Sequence, residues 1–321
     1  LFPTVLVITG NFMGGWWTLL NTFFTLVVLG ALEIVLPDNT KNAANENAAL
    51  PDTILKLTLV FQVLSVLSLF YAIYSERVMG AWLYTPAFST GVNTGTLAIV
   101  TAHEMIHRKG IFWQRAGKFQ LFTAGNIYFY NEHLFVHHKL VGTDKDPASA
   151  YKGESYYAFV FRSIGGQIKG AWQIEKERLG KKNKPLFSTS NYMGLYGLLL
   201  IVVIIILALI QWQLAVAFII QALTANLLLE YTNYIEHYGL RRDERTRVNE
   251  THSWQTDKIV SRFFLIDLSR HADHHFHAAK PYHTLESYEN SPVLPGGYAT
   301  MFFAALIPPL WFRLLDNRIP V

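Results

Sequence analysis

Nine of the twelve histidines fall into spaced clusters. His103 and His107 lie in HEMIH; His133, His137 and His138 lie in EHLFVHH; His271, His274 and His275 lie in RHADHH; His237 lies in NYIEHYGL. Spacings of three and four residues put imidazoles on one face of a helix. A neutral imidazole offers one lone pair to a borderline metal such as iron, zinc, copper or nickel. One ion rarely takes more than six ligands, so nine imidazoles point to two ions. Acids stand beside the clusters at Glu104, Glu132, Glu236 and Asp273. A metal-bound imidazole usually gives its other N–H to a carboxylate or carbonyl. Neighbouring side chains on a helix point apart, so each acid could instead support a histidine of another cluster. His252, His277 and His283 fall outside the pattern and read as structural or supporting residues.

The elements that carry these histidines are membrane-like. Of 321 residues 51% are hydrophobic and 16% charged, against about 25% charged in soluble domains. A spanning helix needs about 20 mostly apolar residues. Charge-free runs over 1–32, 57–75, 78–102 and 185–229 predict six spans, at roughly 1–14, 16–36, 55–75, 79–102, 192–210 and 213–235. Turns are expected within GNFMGGWW, at Glu76–Arg77 and at QWQ (211–213). The fold class expected is an all-α integral membrane protein, one domain over 1–321. Polar stretches 103–190 and 237–321 would form a helical cap over the histidines. Tyr298–Phe312 is apolar but short and holds Pro308 and Pro309, so it reads as interfacial or cap-packing rather than as a seventh span. A soluble all-α protein with buried helices is the alternative, disfavoured by so many long apolar runs.

Charge sets the expected orientation. Lys41, Lys56 and Arg77 are the only cations before residue 103, and the other 24 of 27 lie in the polar stretches. Both stretches follow even-numbered spans, so both lie on one face, which the positive-inside rule puts in the cytoplasm. No cysteine occurs, which excludes disulfides, thiolate zinc sites and iron–sulfur clusters within the chain. A formal charge of +4 without a basic-aromatic stripe gives no case for nucleic acid. The first residue is Leu1, inside an apolar run with no charged region or cleavage site before it. A trimmed N-terminus is expected, and no signal peptide is read.

HEMIH, EHLFVHH and LSRHADHH resemble the membrane di-iron desaturases and hydroxylases. NYIEHYGL and the GTDKDPAS run narrow the resemblance to the membrane-bound alkane 1-monooxygenases, over nearly the whole chain. That resemblance implies six spans under a cytoplasmic cap, in a bacterial inner membrane. It implies two non-haem irons on His103, His107, His133, His137, His138, His237, His271, His274 and His275, with O₂ as co-substrate. It implies rubredoxin, separate or fused, as electron donor, itself reduced by a flavin- and NAD(P)H-dependent reductase. The expected reaction is terminal hydroxylation of medium- to long-chain linear alkanes to 1-alkanols. The chain itself shows the need for a donor, since it has no cysteine for a cluster and no Gly-rich dinucleotide fingerprint.

An alkane dissolved in lipid would enter laterally between helices. Residues one or more turns below the histidines are the candidate channel wall: Leu97, Val100, Leu229 and Asn233. The other reading of each is helix or lipid contact. Arg108, Lys109, Arg241 and Arg242 would dock an acidic electron carrier, or simply obey the positive-inside rule or meet anionic lipid. Two rival functions remain. One is a related desaturase or a hydroxylase of aryl methyl groups or sterols, told apart by its product. The other is a metal transporter, which would place polar residues along several spans.

Overall fold

Backbone N–H and C=O groups have no water to bind in lipid, so an apolar run that crosses a membrane must satisfy them internally, as a helix. The computed structural model describes residues 1–42 and 47–320; the last residue of the expected cap, 321, lies outside them. All the regular structure among these residues is helical, with two isolated bridges and no strand. In chain order the helices are α1 (Phe2–Met13), α2 (Gly15–Val35), α3 (Ala49–Tyr74), α4 (84–107), α5 (Ile111–Thr123) and α6 (129–140). They continue with α7 (Tyr156–Gly180), α8 (Tyr192–Ile210), α9 (Trp212–His237), α10 (Ile259–Phe264), α11 (His271–Phe276), α12 (Tyr298–Ala305) and α13 (Pro308–Leu315).

Four of them, α2, α3, α8 and α9, are long and apolar enough to cross a membrane, which makes this a membrane protein. The six-span expectation differs from this at two helices. α1 is apolar but only 12 residues long. α4 is interrupted by a π-helical turn over Thr94–Ile99. Glu76, with φ 55°, makes the turn after α3, and Gln211 separates α8 from α9.

The chain divides into two compact units. The first comprises Leu1–Val27, Ala49–Phe129 and Trp172–Leu228. Its helices meet through small residues and buried hydrogen bonds, the usual means of helix association where lipid competes with apolar contact. Asn11 Nδ2 donates to Ser68 Oγ (2.9 Å), and Thr4 Oγ1 to Asn93 Oδ1 (3.0 Å). Thr94 Oγ1 donates to Gln221 Oε1 (3.0 Å), and Gln62 Nε2 to Thr94 Oγ1 (3.2 Å). Gly91 and Gly95, one turn apart on α4, let α9 approach: a Cβ on Gly91 would lie 2.5 Å from Thr224 Cβ.

The second unit comprises Val28–Ala48, Tyr130–Ala171 and Leu229–Val321. Its core is aromatic, with Tyr156, Phe159, Tyr234, Tyr238, Trp254 and Trp311 all buried around the last turns of α9. Trp254 Nε1 donates to Tyr238 O (2.9 Å), which fixes the chain just beyond His237. Arg270 is fully buried, and its guanidinium reaches Asp257 Oδ1 (3.1 Å), Leu285 O (2.7 Å) and Lys41 O (3.0 Å). A buried cation satisfied on all sides is a rigid post, and α11 with its three histidines starts at the next residue.

Candidate metal centre

In an α-helix, residues five apart point about 140° away from each other. His133 and His138 nevertheless face the same way, with their Nε2 atoms 3.0 Å apart. The cause is a π-helical turn over His133–His137, where the His138 N–H bonds His133 O and one more residue fits into the turn. π-turns are rare and concentrate at functional sites. His274, on α11, adds its Nε2 at 3.1 Å from that of His138. On α4, within the first unit, the rings of His103 and His107 lie 4.9 Å apart.

The same π-turn sends His137 the other way. His137, His237, His271 and His275 are all buried, and each offers one ring nitrogen within 4.8 Å of the others'. They come from α6, the end of α9, and two turns of α11. His137 Nδ1 lies 3.0 Å from Asp146 Oδ2, with both side chains buried. Asp146 also accepts from Ser149 Oγ (2.6 Å) and from the Ala148 N–H (3.1 Å). Burial alone would push the Asp146 carboxyl up. The charge and hydrogen bond of His137, with the Ser149 bond, outweigh it and hold the group below its usual range. An ionised Asp146 accepts a hydrogen bond from the Nδ1–H of His137, which leaves the Nε2 lone pair for the cluster.

Nε2 of His137, Nε2 of His237 and both nitrogens of His275 are buried without a hydrogen-bond partner. Such atoms are costly unless something binds them. Burial, then the neighbouring imidazoles, push His275 well below the ordinary histidine value, so it stays neutral and keeps its lone pair. Four convergent imidazoles, three of them with orphaned ring nitrogens, fit a borderline divalent metal ion.

The acids beside the histidines serve other partners. Glu236 receives a proton donor from Tyr298 Oη at 2.6 Å on Oε1, and its Oε2 lies 3.1 Å from Nε2 of His271. Glu104 accepts from Arg108 Nε (2.7 Å), and Arg108 also pairs with Asp52. Glu132 is buried, and burial with the nearby Asp146 and Glu230 pushes its carboxyl well above the usual range. Asp273 accepts from Lys280 Nζ (2.7 Å), the Glu286 N–H (2.7 Å) and Tyr288 Oη (2.9 Å), and pairs with His277 Nδ1 (2.8 Å). It ties α11 to the 277–288 loop rather than touching one of the grouped histidines. His252 Nδ1 accepts from the Asn249 N–H (3.0 Å), and His283 lies in a short turn, Tyr282–Thr284.

Leu97 and Val100 are partly buried on α4, and Leu229 and Asn233 are buried on α9. Arg241 stacks over Tyr151 at 3.9 Å, and Arg242 Nη2 donates to Lys139 O (2.7 Å), so both brace the 139–151 segment. Arg108 is committed to its two acids, and Lys109 is exposed. A cleft of about 610 Å³ opens beside His275, lined by Lys139, Lys145, Arg242, Arg247, Glu244 and Phe276. Asp146, Tyr298 and Tyr288 are partners that reasoning from sequence passed over. Asp146 stands in the quoted GTDKDPAS run, but nothing in its spacing from His137 marks it as that residue's partner.

Comparison with known proteins agrees with the chemistry of this cluster. Residues 78–305 match the family model described as fatty acid desaturase. The chain is 39% identical over 237 residues to alkane 1-monooxygenase 1 of Pseudomonas aeruginosa, covering 72% of this chain and 62% of that protein. It is 36% identical over 238 residues to alkane 1-monooxygenase of Acinetobacter baylyi, covering 71% and 58%. A xylene/toluene monooxygenase hydroxylase component of Pseudomonas putida is 25% identical over 325 residues, covering 98% and 86%. The aligned part thus spans about 60% of the length of the alkane monooxygenases. With the family model matched across most of its length and buried histidine clusters among its helices, the chain belongs to the fatty acid desaturase family.

Proposed function

We propose that this chain carries the oxygenase centre of an alkane 1-monooxygenase, which hydroxylates the terminal carbon of medium- to long-chain linear alkanes with O₂ and two electrons from reduced rubredoxin. The observation that carries this reading is the buried group His137, His237, His271 and His275, in a chain up to 39% identical to alkane 1-monooxygenases. Two irons are proposed. The ligands proposed for them are the nine histidines of the motifs, His103, His107, His133, His137, His138, His237, His271, His274 and His275, of which His137, His237, His271 and His275 would hold one ion. Iron bound there would supply the reductive activation of O₂ that an unactivated methyl C–H bond requires.

The protein's own part is to orient and to neutralise. Asp146 sets the tautomer of His137, Glu236 with Tyr298 supports His271, and Glu104, Glu132 and Asp273 support the centre more remotely. Leu97, Val100, Leu229 and Asn233 are proposed to line the path of an alkane that enters from the membrane. The whole chain is read as one oxygenase domain of six spans in a bacterial inner membrane, its cap facing the cytoplasm. There an acidic carrier would meet the basic cleft beside His275, and an NAD(P)H-dependent flavin reductase would recharge that carrier.

A second reading is aryl-methyl hydroxylation. It is favoured by the likeness to the xylene/toluene component, which runs over 98% of the chain. One experiment separates the two. Membranes holding the protein receive reduced rubredoxin, O₂, linear alkanes of graded length and xylene, with acyl lipids present, and products are resolved by gas chromatography and mass spectrometry. Terminal alkanols support the first reading and benzylic alcohols alone the second. Desaturated acyl chains without either alcohol would refute both.

A further inference from the structure

The polar stretch after α9 contains a face that does not suit water. α12 and α13 bury Met301, Ala304, Ala305, Trp311 and Leu315 in the aromatic core, but turn Phe303, Ile307 and Leu310 outward. Next to them Tyr157 Oη donates to Leu306 O (2.9 Å), and one turn further along α7 Phe161 is 83% exposed. On α10, Phe263 is 79% exposed. Several large side chains grouped outward like this exceed the scattered apolar residues of an ordinary wet surface.

Two spanning helices fix the depth of this face. Glu33, two residues or about 3 Å before the end of α2, accepts from the Thr300 N–H (2.9 Å) and Thr300 Oγ1 (3.1 Å), and from Ser261 Oγ of α10. Tyr231, six residues or about 9 Å before the end of α9, donates from its hydroxyl to Tyr298 O (2.6 Å) and packs its ring 5.2 Å from that of Phe302. α12 is therefore tied to the last turns of two apolar helices, not to a segment beyond them. The exposed end of α2 itself, Ile34 at 77% and Val35 at 79%, continues the same apolar surface. Arg313 is also exposed, three residues after Leu310 on α13, where a cationic head can reach phosphate while its stem stays with acyl chains.

We infer that Phe161, Phe263, Phe303, Ile307 and Leu310 form a collar immersed in the membrane, at the boundary of headgroups and acyl chains, with α12 and α13 in the plane of that boundary. The occupant of this face is lipid, because the surface is continuous with the exposed apolar end of α2, a helix long and apolar enough to span a membrane. The inference rests on the spanning helices alone and is independent of the reaction proposed above.

The absence of cysteine in the chain allows a direct test. Single cysteines replace Phe161, Phe303 and Ile307 in the full chain, with Ile201→Cys in the middle of α8 as the lipid reference and Arg245→Cys as the water reference. Each carries a nitroxide label in vesicles of phosphatidylethanolamine and phosphatidylglycerol, and relaxation by O₂ is compared with relaxation by a water-soluble nickel chelate. Labels at all three positions should show an O₂-to-nickel ratio several-fold above that at position 245 and below that at 201. Nickel access equal to that at 245 would place the face in water and overturn the inference. Protection from both reagents would overturn it too, since another protein surface would then cover the face.

Discussion

Asp146 offers the sharpest test of the centre. Its Oδ2 holds His137 Nδ1 at 3.0 Å inside a buried pocket, and Ser149 Oγ and the Ala148 N–H complete its shell. Replacement by Asn keeps the shape and one acceptor for the Nδ1 proton but removes the negative charge. Replacement by Ala removes both and leaves His137 free to adopt the wrong tautomer. Carboxylates that support a metal-bound histidine typically contribute 10- to 100-fold in metal affinity or activity, which is about 1.4 to 2.7 kcal/mol. Asp146→Asn should fall near the lower end of that range and Asp146→Ala near the upper. The assay is iron retained by purified protein after a timed chelator challenge, read by mass spectrometry, alongside turnover. Ser149→Ala, which removes a donor to the same oxygen without touching His137, should lose clearly less iron than either. Wild-type iron retention in Asp146→Ala would refute the argument that this carboxylate sets the ligand's tautomer.

Further outcomes follow from other contacts. Tyr298→Phe leaves Oε1 of Glu236 without its donor in a buried site, a loss of about 1 to 3 kcal/mol; unchanged thermal unfolding and unchanged iron retention together would count against the role. Gly91→Leu drives a side chain into Thr224 and Gln221 O and should destabilise by about 1 to 3 kcal/mol through overpacking; thermal unfolding in detergent that matches wild type would show that α4 and α9 can separate freely. Asp273→Ala cuts α11 from Lys280, Tyr288 and the Glu286 N–H and should lower stability by about 1 to 3 kcal/mol, with a smaller loss of iron than Asp146→Ala. Those bonds outweigh burial and hold the Asp273 carboxyl below its usual range. Its contribution is therefore fully present at neutral pH and fades as pH falls below the unfolded value of about 3.9. The stability gap between wild type and Asp273→Ala should shrink on that side only, which acid titration of unfolding will test. If an acidic carrier docks at the Lys139, Lys145 and Arg247 cleft, turnover at limiting donor falls steeply with salt; a flat response removes the cleft from that role.

The histidines and the apolar runs were legible because each depends on local spacing. Periodicity puts His133 and His137 on one face of an α-helix. The π-turn at His133–His137 instead pairs His133 with His138 and sends His137 to the other group. Such a turn is stabilised by tertiary contacts and leaves no periodic mark in the sequence. The acids were legible as candidates but not as partners. Neighbours on a helix point about 100° apart, so Glu236 reaches His271 from another segment, while Asp273 turns away toward Lys280 and Tyr288. Glu33 shows the converse: it lies inside the span expected over 16–36, where nothing local marks its partners, and it is buried because Ser261 and Thr300 supply its donors. The basic residues Arg241 and Arg242 were legible as cations near the histidines but not by their contacts, since their guanidinium groups meet Tyr151 and backbone carbonyls of distant segments.

This cross-bracing has a consequence for assembly. His137 comes from α6 and is held by a loop residue, Asp146; His237 ends α9; His271 and His275 sit on α11 behind the Arg270 post. No single segment presents more than two of these four imidazoles, so none can bind an ion well until the others are in place. Binding free energy then stabilises the arrangement of the segments together, by about 2.7 kcal/mol when free metal stands at 100 times its dissociation constant. Stripping the metal should loosen the loops that bring the ligands together, not the apolar helices that lipid already constrains. Hydrogen exchange of the detergent-solubilised protein, before and after chelation, should speed up over 139–150 and 268–288 and stay unchanged over α8. A uniform rise across all helices would mean that the ion holds the whole bundle. No change over 139–150 would mean that Asp146 and His137 are pinned by the fold alone, and the orphaned nitrogens of His137, His237 and His275 would need another explanation than a bound ion.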